Sequence, residues 1–423
     1  MPYQRRVIDD ALDDLLPGLA AIALEGAKGV GKTATARQRA VAEASFDDPA
    51  QRQPFEADLS LIRSAPHPFL IDEWQLVPSV WDAVRRAVDT DSTGGQFLLT
   101  GSANPPVGAR MHSGAGRIVS MLMRPLAFSE RGISTPEVSL SAMLAGTSVQ
   151  IGGVTDVGLG GYVDELLRSG FPGIRSLPDR ARKAQLDSYI ARIVDRELPE
   201  SGASIRRPST VRAWLAAYGA ATATDASYSA ILDAATAGES DKPARQTVDA
   251  YRDHLQRIFV LDPLPAWTPA FAPLRRLTRT PKHHVVDPAL AARMAGVDEA
   301  SLLRGKNSKI RPFAASWLGA LFESLVVQSV RTYAEAAGAR VSHLRTRNTD
   351  HEVDIIVEAE DMSVVAIEVK LAGVIEDRDV RHLNWLEEQL GERLIEKVIV
   401  TTGPYAYRRS DRVAVVPFAL LGP

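Results

Sequence analysis

Apolar and polar positions along this chain follow two rhythms, and the places where they break carry the information. In HEVDIIVEAEDMSVVAIEVK, residues 351–370, two apolar runs predict neighbouring strands, and both carry charge on alternate positions. Successive strand side chains point to opposite faces, so Glu352 and Asp354 share one face and Glu368 and Lys370 share another. Buried charge is costly unless it is paired or binds a metal. AAIAL, PHPFLID and GGQFLLTG are three further apolar strands. Helical spacing appears in STVRAWLAAYGAAT, SYSAILDAATA, ARQTVDAYRDHLQRI and the long RPFAASWLGALFESLVVQSVRTYAEAAG. Residues 134–160 are turn-rich and weakly patterned, which predicts an irregular connection.

At 423 residues the chain is too long for one compact core, so two or three domains are expected. Hydrophobic content of 45% and charged content of 24% are those of a globular protein. The absence of cysteine excludes disulfides, zinc thiolate sites and cysteine nucleophiles. No apolar run approaches a membrane span, and MPYQRRVIDDALDD is unlike a signal peptide, so a cytoplasmic location without membrane contact is expected. Net charge is −3, so any nucleic-acid footprint has to be local.

The front end holds GAKGVGKT, a G-x-x-x-x-G-K-[ST] pattern between an apolar strand and an Ala-rich helix. Gly26, Gly29 and Gly31 let backbone N–H groups turn inward around phosphate, aided by the helix N-terminus. Lys32, read as an exposed loop lysine, is placed to reach the β- and γ-phosphates of ATP, and Thr33 to bind Mg²⁺. About forty residues on, FLIDEWQ ends an apolar strand in Asp72 and Glu73. That spacing gives Asp72 a place in holding Mg²⁺ and Glu73 the polarising of an attacking water. Ser102 or Asn104, at the tip of the next strand, is a candidate γ-phosphate sensor. Arg117 is the better of two candidates, with Arg124, for an arginine offered to a neighbouring subunit's phosphate, which implies a homo-oligomer.

Three helical patterns followed by FVLDPLPAW and HHVVDP give a helix–turn–helix plus hairpin layout, as in a winged helix. The hairpin carries Arg275, Arg276, Arg279 and Lys282, with no acid between Asp262 and Asp287. A basic arm of this kind suits DNA phosphates of any sequence. A solvated hairpin or a protein-contact module fits the same residues.

In the last third, Glu323 shares a helix face with Gly319, Val327 and Val330. An acid on a helix, Asp354 on a strand and Glu368-Val369-Lys370 on the next follow the layout of the PD-(D/E)XK nuclease core. Asp354 and Glu368 are the expected metal ligands, Lys370 the transition-state partner, and Glu323 the acid that completes the shell.

With GAKGVGKT, FLIDEWQ, LLTGSAN, RPLAFSE, GFPGI, SYIARIVDREL, DPALAARMAG, GALFESLVV, EVDIIV and IEVK in order from residue 20 to about 400, the whole chain resembles bacterial and archaeal AAA-superfamily ATP-binding proteins. These have a winged helix and a C-terminal domain of unknown function with a restriction-endonuclease-like fold. DREL departs from the family, which often has Arg-Asp there. The resemblance implies an α/β chain with a P-loop AAA-type ATPase domain over 1–200, a winged-helix domain over 201–300 and a nuclease-like α/β domain over 301–423. It implies an ATP-hydrolysing, DNA-directed protein, with a metal-dependent nuclease of genome defence or DNA processing as its sharpest form. An ATP-switched regulator or toxin–antitoxin component with a silent nuclease fold is the first alternative. A STAND-like signalling ATPase is the second.

Overall fold

The computed structural model describes residues 3–103, 114–147, 149–238, 245–269, 277, 280–303 and 312–423. Strands β1 (Ala21–Glu25), β2 (Ala42–Ser45), β3 (Phe69–Asp72), β4 (Phe97–Gly101) and β5 (Val119–Leu122) form a parallel sheet in the order β2-β3-β4-β1-β5. Parallel sheets are covered on both faces, which is why β1, β3 and β4 are apolar almost throughout. Alternation divides them: Ile22, Leu24, Leu70 and Leu98 pack into one core, and Ala21, Ala23, Phe69, Ile71, Phe97 and Leu99 into another. Helix Ser79–Thr90 seals the second core with Trp81 and Val84.

The connection around residues 134–160 is more ordered than its composition predicts. Strand β6 (Val138–Ser139) pairs in parallel with the last strand of the chain, and Val154 bridges Tyr405. Both partners lie more than two hundred residues away, so no local pattern announces them.

Helices Pro208–Ala220, Tyr228–Ala235 and Arg245–Arg257 come next, followed by an antiparallel ribbon with bridges Leu261–Val285 and Leu264–Lys282. Arg275, Arg276 and Arg279 lie outside the described residues.

The helix Pro312–Ala336 leads into a second sheet. Its strands are β7 (Arg340–Arg345), β8 (Glu352–Glu358), β9 (Val364–Lys370), β10 (Leu394–Thr401), β11 (Tyr407–Arg408) and β12 (Ala414–Pro417), and β13 (Leu421–Gly422) is the strand that returns to β6. The order is β11-β12-β10-β9-β8-β7, with β7, β8 and β9 an antiparallel meander and β10 parallel to β9 after helix Asp377–Leu390. One apolar core runs from Ile8 through Leu255 and Leu325 to Leu421, so the three segments share buried surface.

Candidate functional site

Strand β1 delivers the chain into the loop 26–31, and the loop works by close approach. A Cβ on Gly26 would stand 2.2 Å from the Met123 carbonyl oxygen, so only glycine fits against the segment leaving β5. Gly31, at φ +106°, then opens the helix Lys32–Arg37. Lys32 is not the exposed loop lysine the motif suggests. Its side chain is buried, and Nζ donates to the carbonyl oxygens of Gly26 at 2.8 Å and Ala27 at 3.0 Å. Burial pulls its ammonium down to about 8, against the charges of Glu73 and Asp72.

Asp72 ends β3 between β2 and β4, and three hydroxyls converge on it. Thr33 Oγ1 donates to Oδ1 at 2.7 Å, Thr100 Oγ1 donates to the same oxygen, and Ser45 Oγ donates to Oδ2 at 3.1 Å. Thr33 and Asp72 are therefore together where a Mg²⁺ ion would be held, and two carbonyls are all that occupy Lys32. This donor set fits a Mg²⁺–nucleotide phosphate.

Glu73 adopts a left-handed backbone at φ 54°. Ser102 Oγ donates to its Oε2 at 3.0 Å, and Gln75 Nε2 donates to Glu73 and, at 3.3 Å, to Ser102. Ser102 thus serves the candidate water-orienting acid directly, and Asn104 lies outside the described residues. Gln75 and Thr100 were not singled out by motif; each is one or two positions from a motif residue.

The helix Asp179–Arg192 continues as a π-helical turn over Ile193–Glu197 and lies against the loop. Tyr189 donates to the Lys28 carbonyl at 3.0 Å and packs on Phe171. Burial raises the Glu197 carboxyl, countered by Lys28, while Glu200 and Glu73 add to the rise. Glu197, in the DREL stretch that departs from the family pattern, thus lies in the field of Lys28 and Lys32 of the phosphate loop. Arg117 donates from Nε to Asp89 Oδ1 at 2.8 Å and is partly exposed. Arg124 is buried instead, clamped by Asp262 at 2.6 Å and Glu335 at 2.5 Å.

The second site lies where β8 and β9 part. Their ladder ends at the pair Ile355–Ile367, and the Asp354 side chain takes the next N–H, that of Val369, at 3.0 Å through Oδ2. Lys370 Nζ donates to Glu368 Oε2 at 2.8 Å. Among the described residues no donor reaches Glu368 Oε1, although the side chain is only 3% exposed.

One residue corrects the sequence reading. Lys282 is no part of an exposed basic arm: its side chain is 2% exposed, and Nζ lies 2.8 Å from Glu323, 2.8 Å from Glu352 and 3.0 Å from Asp354. The physical reason is its pairing with Leu264, which turns residue 282 inward to a cluster that requires a cation.

Burial works against every charge here, and the cations decide which acids stay ionised. Lys282 and Lys370 outweigh burial at Asp354 and hold its carboxyl down. Burial and the Asp354 charge push Glu368 well up, and burial also pushes Glu323 up despite Lys282. Among the described residues no three acids or imidazoles are spaced to share one metal ion. The Lys282 ammonium stands on Asp354, one of the two expected metal ligands, and the Lys370 ammonium on Glu368, the other.

Residues 20–132 match the AAA domain family. The front module is an AAA-type ATPase domain. ATP binding and hydrolysis, with Mg²⁺ as the usual companion ion, go with such a domain. Residues 160–301 match Domain of unknown function (DUF8612), and residues 318–421 match Domain of unknown function (DUF4143). The chain is 27% identical over 429 residues to the uncharacterized proteins Mb2031c of Mycobacterium bovis and Rv2008c of Mycobacterium tuberculosis, covering 99% of this chain and 84% of each relative. The Walker-type ATPase PABY2304 of Pyrococcus abyssi is similar over 70% of this chain and 98% of its own, at 17% identity and a TM-score of 0.39. Among the described residues no helix is long and apolar enough to cross a membrane.

Proposed function

We propose that this is an ATP-hydrolysing protein directed at DNA, whose C-terminal domain is a nuclease-type fold of the PD-(D/E)XK kind. The observation that carries the reading is the convergence of Glu323, Asp354, Glu368 and Lys370 at the parting of β8 and β9, within a meander–helix–parallel strand topology. In the ATPase domain Lys32 would grip the β- and γ-phosphates, and Thr33 and Asp72 would hold Mg²⁺. Glu73, steadied by Ser102 and Gln75, would orient water. Arg117 stands on a partly exposed loop, where a neighbouring subunit's nucleotide could be served. Three helices and a ribbon support a winged-helix reading of the middle segment, and the sequence of that segment offers Arg275, Arg276 and Arg279 as contacts for DNA phosphates.

The test is ATP turnover by the full chain with and without DNA, alongside DNA binding in the ATP and ADP states. The reading expects turnover and DNA binding that differs between the two nucleotides. Absence of turnover, or of DNA binding in both states, contradicts it.

A second reading is favoured by Lys282. A lysine ion-paired with three carboxylates gives the cluster its cation without metal, as in an ATP-switched regulator whose nuclease fold is silent.

A further inference from the structure

We infer that Lys282 and a divalent ion are alternative occupants of the carboxylate cluster, so that the ribbon carrying Lys282 decides whether the C-terminal site can take up metal. This rests on the nuclease-type reading of that domain and adds its regulation.

The Lys282 ammonium donates to Glu323 at 2.8 Å and to Asp354 at 3.0 Å, and it is ion-paired with Glu352 at 2.8 Å. Three carboxylates surround the ammonium, and the side chain is closed off from water. A divalent ion bound to the same oxygens would stand within about 4 Å of a buried ammonium, and in a low-dielectric interior that repulsion excludes joint occupancy. The fourth carboxylate lies outside the reach of Lys282 and takes Lys370 through Oε2. Among the described residues Glu368 Oε1 is buried and accepts from no donor, which leaves one oxygen of the cluster open to a further partner.

The plug and the cluster belong to different parts of the chain. Among the described residues the ribbon is bridged to itself and, through Ala266–His343 and Leu277–Thr346, to the C-terminal sheet, and His283 and His284 tie it to Thr224 and Ser324. Lys282 belongs to no rung of the β8–β9 ladder, so a swing of its side chain away from the carboxylates leaves that ladder intact. The same ribbon carries Asp262, which Arg124 grips one residue after Met123, and the Met123 carbonyl lies against Gly26 of the phosphate loop. The phosphate loop and the plug are thus joined through a short series of contacts.

The test uses the full chain without nucleotide and Mn²⁺ alone as probe, read as loss of the free-ion resonance signal and as a shift in melting temperature. The unaltered chain should take up Mn²⁺ at this cluster at least tenfold more weakly than Lys282→Met. The melting temperature of Lys282→Met should rise with Mn²⁺, and both effects should vanish when Asp354→Asn is added. Equal uptake by the unaltered chain, abolished by Asp354→Asn, overturns the exclusion while leaving the nuclease-type site standing. No uptake by either protein overturns both. The measurement on the unaltered chain decides against the proposal even where Lys282→Met does not fold.

Discussion

The guanidinium of Arg124 donates from Nε to Asp262 at 2.6 Å, joining the residue just after β5 of the ATPase sheet to the ribbon that carries Lys282. Arg124 is 1% exposed and holds Glu335 with its other arm, while Arg331 also reaches Asp262 at 3.0 Å. Breaking a buried pair by removing one partner strands the other charge, so Arg124→Ala should cost on the order of 3 kcal/mol in urea unfolding. The pair also sets an acid limit. Burial would raise the Asp262 carboxyl, but Arg124 and Arg331 outweigh it and hold it at about 2. Its stabilisation is complete above the ordinary carboxyl value and is lost as pH falls through about 2, because the unfolded chain binds the proton first. Asp262→Asn should flatten the acid limb of stability between pH ~4 and ~2. An unchanged limb would assign that limb to other carboxyls.

Lys32 gives a second pH signature at the alkaline end. Burial pulls the nucleotide-free ammonium down to about 8, whereas phosphate oxygens favour the charged form. ATP binding above that pH must therefore take up a proton. Affinity should be level below pH 7.5 and fall about tenfold per unit above 8. Calorimetry in buffers of different ionisation heat reads the proton directly. Lys32→Ala should lose hydrolysis and this dependence together. A flat affinity through pH 9.5 would remove Lys32 from the phosphate site.

Glu73→Gln separates binding from chemistry. The amide keeps the contacts to Ser102 and Gln75 but no longer accepts a proton from water. Turnover should fall on the order of a hundredfold or more while ATP stays bound. Turnover at the parental rate would leave Glu73 without a role in orienting water.

The candidate nucleotide site is the part most legible in sequence, because its signals are local: a loop, a strand end and their spacing. Lys32's burial was not, since the Gly26 and Ala27 carbonyls that enclose it are backbone groups. Asp354, Glu368 and Lys370 were readable from strand periodicity, and Glu323 from an acid on an apolar helix face. Lys282 was misread because its three partners come from 41 to 72 residues away and nothing in RTPKHHVV distinguishes a solvated lysine from an inward one. The β6–β13 pairing was invisible for the same reason.

Arg275, Arg276 and Arg279 carry the remaining charge of the arm once Lys282 is accounted for. Changing all three to Ala should lower DNA affinity across unrelated sequences. The slope of log affinity against log salt should become shallower by roughly 2 to 3, as fewer counterions are released. An unchanged slope would move the DNA surface elsewhere.

The most direct measurement is cleavage of labelled single-stranded, duplex and branched DNA by the full chain in Mg²⁺ or Mn²⁺, with and without ATP. The account predicts phosphodiester cleavage that depends on the nucleotide state and disappears in Asp354→Asn. If neither the unaltered chain nor Lys282→Met cuts any DNA form in any nucleotide state, the nuclease-type assignment is contradicted and the silent-fold regulator takes its place.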